Sequence, residues 1–361
     1  MKVMTVLGTR PEIIRLSLVI KALDAYCDHV LVHTGQNFEE RLNRIFFKDL
    51  GVREPDHYLG VRAASFAEQI GHILIETEKV ILAEKPDRIL ILGDTNSGLA
   101  SLVARRMGLP VFHLEAGNRC YDDRVPEEVN RRVIDHSSTV LLPYTHRSKE
   151  NLLAEGIPGK DIHVIGNPIY EVMRHYDAKI GASTILTTLG LAPQGYFLVT
   201  AHRAENVDEK DRLAALLTAL DQVSATYGKP VICSLHPRTK DKIEKFGLSV
   251  NGDRVRLLEP FGFFDFIALE TQAACVITDS GTVQEECCIL KVPNLTIRDV
   301  TERPETLDCG SNILTGVDPE KILKAVEIVL DESRTWEPPA EYLAENVAAR
   351  VAKLVLGYYR A

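Results

Sequence analysis

The feature that most constrains the fold of this chain is a repeated alternation of short apolar runs with longer amphipathic stretches. Lys2–Leu7 and Arg88–Leu92 are two of the runs, and Pro11–Leu23 and Ala67–Glu84 are two of the stretches. Short runs rich in β-branched residues and bounded by Gly, Pro or Asp indicate strands buried in a parallel sheet. The alternation therefore predicts an α/β fold, with doubly wound parallel sheets and right-handed crossovers.

The same alternation predicts two domains. It pauses near Gly166–Pro168 and begins again at Tyr196, and a chain of 361 residues is too long for one ordinary core. We predict a first Rossmann-like domain over residues 1–168, a second over 169–341, and a C-terminal helix of about 342–361 that packs back on the first. Two facing domains of this kind, with a ligand between them, are similar to the GT-B architecture.

Composition excludes several classes of protein. Apolar residues make up 45% of the chain and charged residues 26%, as in a folded soluble protein. The net charge is −9 without a basic block, which argues against nucleic acid or an anionic membrane as a partner. No apolar run approaches the ~20 residues that span a bilayer. Because the chain leads directly into the strand Lys2–Leu7, we predict no signal peptide and a cytoplasmic location.

Neither a metal nor an organic cofactor is indicated. The seven cysteines show no C-x-x-C spacing, and Cys233 and Cys275 lie inside apolar runs, so we expect reduced, structural thiols. His29 and His33 share a predicted strand in which four residues span roughly 13 Å, too far for one metal ion. Gly8-Thr-Arg-Pro-Glu12 is not the G-x-G-x-x-G sequence of nicotinamide enzymes.

Carboxylates and a histidine follow several of the apolar runs. Asp94 and Glu115 each follow a run in the first half, Glu127 opens a helix, and His202 follows a run in the second half. Because ligands of open α/β sheets bind outside the carboxyl ends of the strands, this placement favours acid–base chemistry on a bound small molecule. Helix capping by Asp94 and a favourable helix dipole at Glu127 are the structural alternatives.

Groups suited to an anionic nucleotide lie at the same strand ends. The amides of the turn Gly8–Glu12, with Arg10 and Arg15, offer an anion site, and Ser280 and Gly281 expose amides at a helix N-terminus. Glutamates further along that helix can reach ribose, and a phenylalanine can contact a base, although core packing also explains the phenylalanine. The predicted substrate-binding residues are Arg10, Arg15, Thr95, Arg119, Arg203, His236, Arg238, Phe261, Ser280, Gly281, Glu285, Glu286 and Arg298.

Six motifs, taken in order, resemble one family specifically and span both halves of the chain. They are Gly8-Thr-Arg-Pro-Glu12, Gly93-Asp94-Thr95, His113-Leu-Glu-Ala-Gly117, Pro126-Glu-Glu-x-Asn-Arg131, Asp279-Ser-Gly281 and Arg298-Asp-x-Thr-Glu-Arg-Pro-Glu305. The chain resembles the non-hydrolysing UDP-N-acetylglucosamine 2-epimerases. The resemblance implies the GT-B fold, a homodimer, and interconversion of UDP-GlcNAc and UDP-ManNAc without metal or nicotinamide.

The resemblance also implies roles for individual residues. The catalytic set that it implies is Asp94, Glu115, Glu127 and His202. It assigns the UDP moiety to Arg10, His202, Ser280, Gly281 and Glu286. The implied reaction is anti elimination of UDP to a 2-acetamidoglycal, followed by re-addition of UDP with protonation from the other face.

Some positions depart from the usual pattern of that family. Arg15 stands where Lys is usual, Asn118 where Leu is usual, and Thr282 where Gly is usual. Asn118, Cys120, Arg124 and Thr282 are similar to a branch that forms UDP-N-acetyl-L-fucosamine from its talo epimer, so that reaction is an alternative. A hydrolysing 2-epimerase, a GT-B glycosyltransferase and a non-catalytic UDP-sugar-binding protein are further alternatives.

Overall fold

The chain forms two compact units in a computed structural model that describes residues 1–35, 40–61, 63, 65–331 and 334–357. Unit 1 consists of Met1–Arg174 together with Ala340–Ala361, and unit 2 consists of His175–Pro339. The last four residues of the predicted C-terminal helix lie outside the described residues.

Unit 1 is built around a six-stranded parallel sheet. Its strands are β1 (Lys2–Leu7), β2 (Asp28–His33), β3 (His57–Tyr58), β4 (Arg88–Leu92), β5 (Val111–Leu114) and β6 (Val140–Leu142), in the spatial order β3-β2-β1-β4-β5-β6. Its helices include α1 (Arg10–Tyr26), α2 (Glu40–Asp49), α3 (Phe66–Glu84), α4 (Ala100–Arg106), α5 (Pro126–Ser137), α6 (His146–Ala154) and α7 (Pro168–His175). The run Ile162–Ile165, predicted as a strand, forms only an isolated bridge between Ile162 and Leu141.

Unit 2 repeats this plan. Its strands are β7 (Phe197–Thr200), β8 (Val231–Ser234), β9 (Val255–Leu258), β10 (Cys275–Thr278), β11 (Asn294–Thr296) and β12 (Asn312–Leu314), in the parallel order β12-β11-β10-β7-β8-β9. Its helices are α8 (Asp177–Gly181), α9 (Ile185–Leu189), α10 (Ala204–Val207), α11 (Lys210–Tyr227), α12 (Pro237–Phe246), α13 (Phe263–Thr271), α14 (Gly281–Leu290), α15 (Pro304–Asp308) and α16 (Pro319–Asp331).

The central strands explain why the apolar runs are continuous. Every residue of β4 is buried, and Leu90 and Ile91 are fully inaccessible to solvent. Consecutive side chains of a strand point to opposite faces, so a wholly buried strand requires apolar side chains on both. Burying each such side chain contributes about 1.5–3 kcal/mol. Among the helices of the described ranges, none is both long and apolar enough to cross a membrane.

The end of the chain returns to unit 1. Helix α17 (Val347–Gly357) packs against α1 and buries Val351 and Val355. The Arg88 guanidinium donates a hydrogen bond to the Val355 carbonyl oxygen, and the Ala348 amide donates to Glu171 at 2.9 Å. The core of unit 1 therefore contains residues from both ends of the sequence.

Candidate active site

Glu115, directly after β5, has a donor on each carboxylate oxygen. Its φ of 67° lies in the left-handed region, which is uncommon for a residue other than glycine. Arg15 of α1 forms an ion pair with Oε2, and Asn118 Nδ2 donates to Oε1 at 3.3 Å. All three side chains are buried. A neighbouring guanidinium favours the charged form of a carboxylate, and that form can accept a proton.

Asp94, at the end of β4, is held by α5. Arg131 Nε and Nη2 lie 2.8 and 2.7 Å from Asp94 Oδ2, and Asn130 Nδ2 donates to the Asp94 carbonyl oxygen at 3.0 Å. The short 3-10 helix that follows, Asn96–Leu99, has Thr95 as its N-cap residue. Helix capping therefore does not account for Asp94. Since β4 and β5 are neighbours in the sheet, Asp94 and Glu115 follow adjacent strand ends.

Glu127 and Glu128, in the first turn of α5, have different surroundings. Glu128 is buried and accepts hydrogen bonds from the Cys120 amide at 3.1 Å, the Tyr121 amide at 3.0 Å and Arg131 Nη1 at 2.7 Å. Burial alone would raise the pKa of Glu128, but these donors outweigh it and lower the pKa below its ordinary value. Glu128 thus anchors the loop before α5. Glu127 is only half-buried, which suits the group predicted to react.

Glu12 closes the turn between β1 and α1. Its Oε2 accepts hydrogen bonds from the Gly8 amide at 2.9 Å and the Thr9 amide at 2.7 Å, and its Oε1 accepts one from Thr95 Oγ1 at 3.0 Å. The prediction that the amides of this turn offer an anion site is therefore wrong for Gly8 and Thr9, since they donate to a carboxylate four and three residues further along. Burial raises the pKa of Glu12 to about 7, against the opposing effect of these donors.

Arg10 and Arg119, the two other arginines of unit 1 predicted to bind substrate, have different surroundings. Arg10 begins α1, and its guanidinium lies 5.9 Å from the centre of the Phe46 ring. The Arg119 side chain is fully enclosed, and its Nη2 donates to Asp135 and Glu155, both at 2.7 Å. These contacts favour a structural role for Arg119, as a link between α5 and the end of α6.

A buried histidine–aspartate pair supports the two strand ends. His113 of β5 has Nδ1 2.8 Å from Asp135 Oδ1 and Nε2 2.9 Å from the Gly93 carbonyl oxygen. Asp135 also accepts a hydrogen bond from the Gly117 amide at 3.1 Å. Burial would raise the pKa of Asp135, but the adjacent His113 and Arg119 outweigh it and hold the pKa below its ordinary value. Through these hydrogen bonds the pair connects Gly93, next to Asp94, with Gly117, two residues after Glu115.

In unit 2, Asp279 organises the turn after β7. Its buried carboxylate accepts hydrogen bonds from the backbone amides of His202 and Arg203, both at 2.9 Å, and from Asn206 Nδ2 at 3.2 Å. The His202 Nδ1 lies 3.3 Å from Asp279 Oδ1, and the His202 side chain is 37% exposed. Asp279 therefore orients His202, and its own oxygens are occupied by this turn.

His236 and Arg238 follow β8, beside the turn that carries His202. The rings of His202 and His236 are 5.6 Å apart between centroids, and His236 Nδ1 accepts a hydrogen bond from the Arg238 amide at 3.2 Å. The Arg238 side chain is instead exposed and forms an ion pair with Asp208. The structure brings the two histidines together and directs the Arg238 guanidinium to a surface carboxylate.

Ser280 is the N-cap residue of α14, and Gly281 is its first residue. A Cβ atom on Gly281 would lie 2.6 Å from Glu302 Oε1, so a side chain at this position would displace that carboxylate. The Ser280 amide donates to Thr278 Oγ1 at 3.0 Å, so it is already used within the turn. The amides that the N-terminus of α14 offers to an anion begin at Gly281.

The remaining predicted residues of unit 2 are mostly enclosed. Glu285 forms an ion pair with Arg303, Glu286 is 4% exposed, and Arg298 Nη1 donates to Glu302 Oε2 at 2.7 Å. Arg203 Nη2 lies 3.9 Å from Glu302. Glu302 therefore lies between Arg298 and Arg203 in one largely buried charged group.

Phe261 packs against an apolar cluster of unit 2. That cluster includes Tyr196, Leu198 and Leu269. The contact favours core packing, which was the alternative to base recognition for this ring. Within the described ranges, no group of three or more His, Cys, Asp and Glu side chains is arranged to hold a metal ion.

Several residues that position the predicted ones were not themselves predicted from the sequence. Glu12, Glu128 and His113 are part of the motifs quoted above, but the motifs did not show which residues they contact. Asp135 gave no local signal, because its partner His113 is 22 residues away in the sequence.

Known proteins are similar to this chain over nearly its whole length. A family model described as UDP-N-acetylglucosamine 2-epimerase matches residues 21–356. A UDP-N-acetylglucosamine 2-epimerase of Methanocaldococcus jannaschii is 43% identical over 348 residues, which are 94% of this chain and 95% of that protein. The chain belongs to the UDP-N-acetylglucosamine 2-epimerase family. The resemblance inferred from the six motifs is therefore confirmed.

Other members of the epimerase family extend the comparison. A crystal structure of the M. jannaschii UDP-GlcNAc 2-epimerase in complex with UDP-GlcNAc and UDP has a TM-score of 0.94 and 41% identity, and covers 98% of this chain and 99% of that one. The predicted fold class, a GT-B fold of doubly wound parallel sheets, is confirmed. A Pseudomonas aeruginosa UDP-2,3-diacetamido-2,3-dideoxy-D-glucuronate 2-epimerase is 37% identical over 92% of this chain and 93% of that protein.

Proposed function

We propose that this protein is a non-hydrolysing 2-epimerase of UDP-N-acetylhexosamines, of the UDP-GlcNAc to UDP-ManNAc type. The observation that carries the proposal is the pair of carboxylates at adjacent strand ends, Glu115 beside Arg15 and Asp94 beside Arg131. Glu127 adds a third, half-buried carboxylate. Glycosyl transfer to an acceptor would not require three such groups, whereas removing and returning a proton on a sugar carbon does require acids and bases.

The chemistry follows from the lack of a carbonyl beside C2. Breaking the bond between C1 and the UDP oxygen sends the electron pair to UDP, and positive charge at C1 makes the C2 proton removable. A carboxylate takes that proton, which leaves a 2-acetamidoglycal and UDP. Return of a proton to the opposite face of C2, with re-addition of UDP at C1, gives the epimer. Asp94, Glu115 and Glu127 would serve as acceptor and donor and stabilise the cationic transition state.

The leaving group is assigned to the nucleotide-binding residues. The N-terminus of α14 at Gly281 offers amides and a positive dipole end to the diphosphate, and His202 is oriented by Asp279. Arg10 would add positive charge, and Glu286 would hold the ribose. In this proposal Arg119 supports the structure instead of touching substrate, because its side chain is fully enclosed. Phe261 is partly buried, and its contact with the apolar cluster of unit 2 favours a packing role.

A second candidate substrate is a 6-deoxy L-sugar nucleotide, the UDP-N-acetyl-L-talosamine and L-fucosamine pair. Asn118 and Cys120, two of the branch-like residues, lie against the candidate catalytic carboxylate Glu115 and against Glu128. The P. aeruginosa relative is named as an epimerase of a sugar nucleotide other than UDP-GlcNAc. A pocket without a partner for the C6 hydroxyl discriminates only about 10–200-fold. UDP-GlcNAc should thus react measurably, and side-by-side kcat/KM values would rank the substrates.

We also propose that the enzyme is a cytoplasmic homodimer. Ile75 and Leu82, seven residues apart and so on the same face of α3, are 52% and 60% exposed. Large apolar side chains grouped on a surface mark interfaces between proteins. The cysteines of the chain are all free thiols, which favours a reducing compartment. Light scattering should give a dimer mass, and the variant Ile75→Lys, Leu82→Lys should give a monomer mass.

The decisive experiment is NMR of the purified enzyme in D2O with a small panel of UDP-HexNAc isomers. We expect epimerisation with deuterium incorporated at C2, because the proton returned need not be the one removed. Activity should be indifferent to EDTA and to added nicotinamide nucleotides. Epimer without deuterium at C2 would contradict elimination. Release of UDP and free sugar in stoichiometric amounts would instead identify a hydrolysing epimerase.

A further inference from the structure

Asn118 connects Glu115 to the N-terminal cap of α6. Ser148 Oγ donates to Asn118 Oδ1 at 2.9 Å, and Ser148 Oγ lies 3.1 Å from Oγ1 of Thr145, the N-cap residue of α6. On its other side the Asn118 amide donates to Glu115 Oε1 at 3.3 Å. The Asn118 side chain is 7% exposed. A continuous line of hydrogen bonds therefore runs from a helix cap to a candidate catalytic carboxylate.

The chemistry of the neighbours fixes the orientation of the Asn118 amide. A carboxylate oxygen only accepts hydrogen bonds, so the group that faces Glu115 must be the NH2 end of the side chain. The Asn118 oxygen then faces Ser148, whose hydroxyl can donate. The Arg119 Nη1 also donates to the Asn118 carbonyl oxygen at 2.7 Å, which holds the backbone of the same residue.

Glu115 is therefore held by two different elements. Arg15 contacts Oε2 from α1, and Asn118 contacts Oε1 from the loop after β5. Donors on both oxygens fix the plane of the carboxylate as well as its position. A leucine at residue 118 could fill the same space but could not donate a hydrogen bond to Glu115.

We propose that Asn118 is a positioning residue of the epimerase, which fixes the plane of the Glu115 carboxylate through a relay from Ser148. This inference rests on the proposed function, since it assigns to Glu115 a role in proton transfer. A carboxylate displaced from the proton it removes costs up to about 100-fold in rate. The relay should therefore affect turnover and leave the affinity for UDP unchanged.

The test compares Asn118→Leu and Asn118→Asp with the wild type on its best UDP-HexNAc substrate. Asp has the shape of Asn and can still accept from Ser148, but it replaces the donor by a second carboxylate. We expect kcat to fall about 10- to 100-fold in Asn118→Leu and further in Asn118→Asp, with the dissociation constant of UDP within about twofold of wild type. Ser148→Ala should give a smaller loss in kcat, and Ser101→Ala, which removes another buried hydroxyl of unit 1, should give none.

A double-mutant cycle shows whether Asn118 acts through Glu115. In a Glu115→Gln background, Asn118→Leu should change the remaining rate of C2 deuterium exchange by less than about twofold, because coupled residues are not additive. An equal loss in both backgrounds, wild-type kcat in Asn118→Leu, or a rise in KM alone would overturn the inference. If the wild type itself epimerised none of the UDP-HexNAc isomers, the proposed function and this inference would fail together.

Discussion

The three candidate catalytic carboxylates differ in what holds each one. Glu115 has contacts from an arginine and an asparagine, Asp94 has Arg131 on Oδ2, and Glu127 lies half-buried in the first turn of α5. Different surroundings give carboxyl groups different proton affinities, which lets one act as an acid while another acts as a base. Substitution of each should therefore alter a different part of the reaction.

Replacing each carboxylate by its amide should separate catalysis from binding. We expect Glu115→Gln, Glu127→Gln and Asp94→Asn each to lower kcat by roughly 10²–10⁴, the usual contribution of an acid or base, with UDP affinity near wild type. Arg10→Ala removes positive charge that the proposal assigns to the leaving group, and it should instead weaken UDP binding. Steady-state kinetics and calorimetric titration with UDP measure the two effects, and Glu76→Gln, at a partly exposed glutamate of α3, is the control. Carboxamide variants that lose UDP affinity but retain turnover would contradict the assignment.

Glu12 should make the stability of unit 1 depend on pH. Burial raises the pKa of Glu12 from 4.5 to about 7, so the folded state holds this proton more tightly than the unfolded chain does. The contribution of this proton to the free energy of unfolding is complete below pH 4.5 and is lost as the pH rises through about 7, a change of about 3 kcal/mol. Glu12→Gln stays neutral and should therefore gain stability relative to wild type between pH 5 and pH 8.

Urea unfolding at both pH values measures the effect of Glu12→Gln. Glu76→Gln, at a glutamate whose side chain is 37% exposed, should show no comparable change with pH. If the free energy of unfolding changed equally with pH in the wild type and in Glu12→Gln, Glu12 would be ionised throughout this range.

At the scale of elements, the loop after β5 packs closely against α6. Gly117 has φ +82°, and a Cβ atom there would lie 2.2 Å from the Ser148 carbonyl oxygen. We expect Gly117→Ala to destabilise the protein by about 3 kcal/mol or more, from the left-handed backbone and the overlap together. Gly108→Ala is a matched control, because Gly108 also has φ +82° but no atom within 4 Å of an added Cβ.

Thermal unfolding and kcat of the two glycine variants measure this packing. Gly108→Ala should lose only the backbone contribution of about 1–2 kcal/mol and keep its turnover. Gly117→Ala should also lose turnover, because the same loop carries Glu115 and Asn118. Equal losses of stability in the two variants would show that the loop can move away from α6 at little cost.

The sequence predicted the elements better than their contacts. Continuous apolar runs such as β4 indicate a strand because both faces must be buried, and this signal is local. Ile162–Ile165 carried the same signal, but only Ile162 pairs with β6. Within the site, the ends of strands predicted where Asp94 and Glu115 lie. The enclosure of Arg119 by Asp135 and Glu155 could not be predicted, because those partners are 16 and 36 residues away in the sequence.

At the scale of the whole molecule, unit 1 depends on the last described helix. Ending the chain after Pro339 removes α17, with its buried Val347, Val351 and Val355, and exposes the apolar surface of α1. The lost burial amounts to on the order of 5 kcal/mol, similar to the total stability of many domains. We expect unit 1 to lose its protection against hydrogen exchange in β1 and α1, while β7 and α11 of unit 2 keep theirs.

Hydrogen exchange with mass spectrometry on the truncated chain measures both units at once. A chain that ends after Gly357 is the control and should resemble the full chain, since it retains α17. Undiminished protection of β1 in the chain that ends at Pro339 would show that unit 1 does not need the returning segment.

The return of the chain to unit 1 also sets the order in which the protein can be completed on the ribosome. Residues 1–174 emerge first, but the segment that covers α1 follows only after all of unit 2 has been made. At ordinary rates of synthesis that interval is roughly 10–30 s. During that interval unit 1, which carries the candidate catalytic carboxylates, has the apolar surface of α1 exposed. We therefore expect unit 1 to be the half of the enzyme that depends on chaperones in a growing cell.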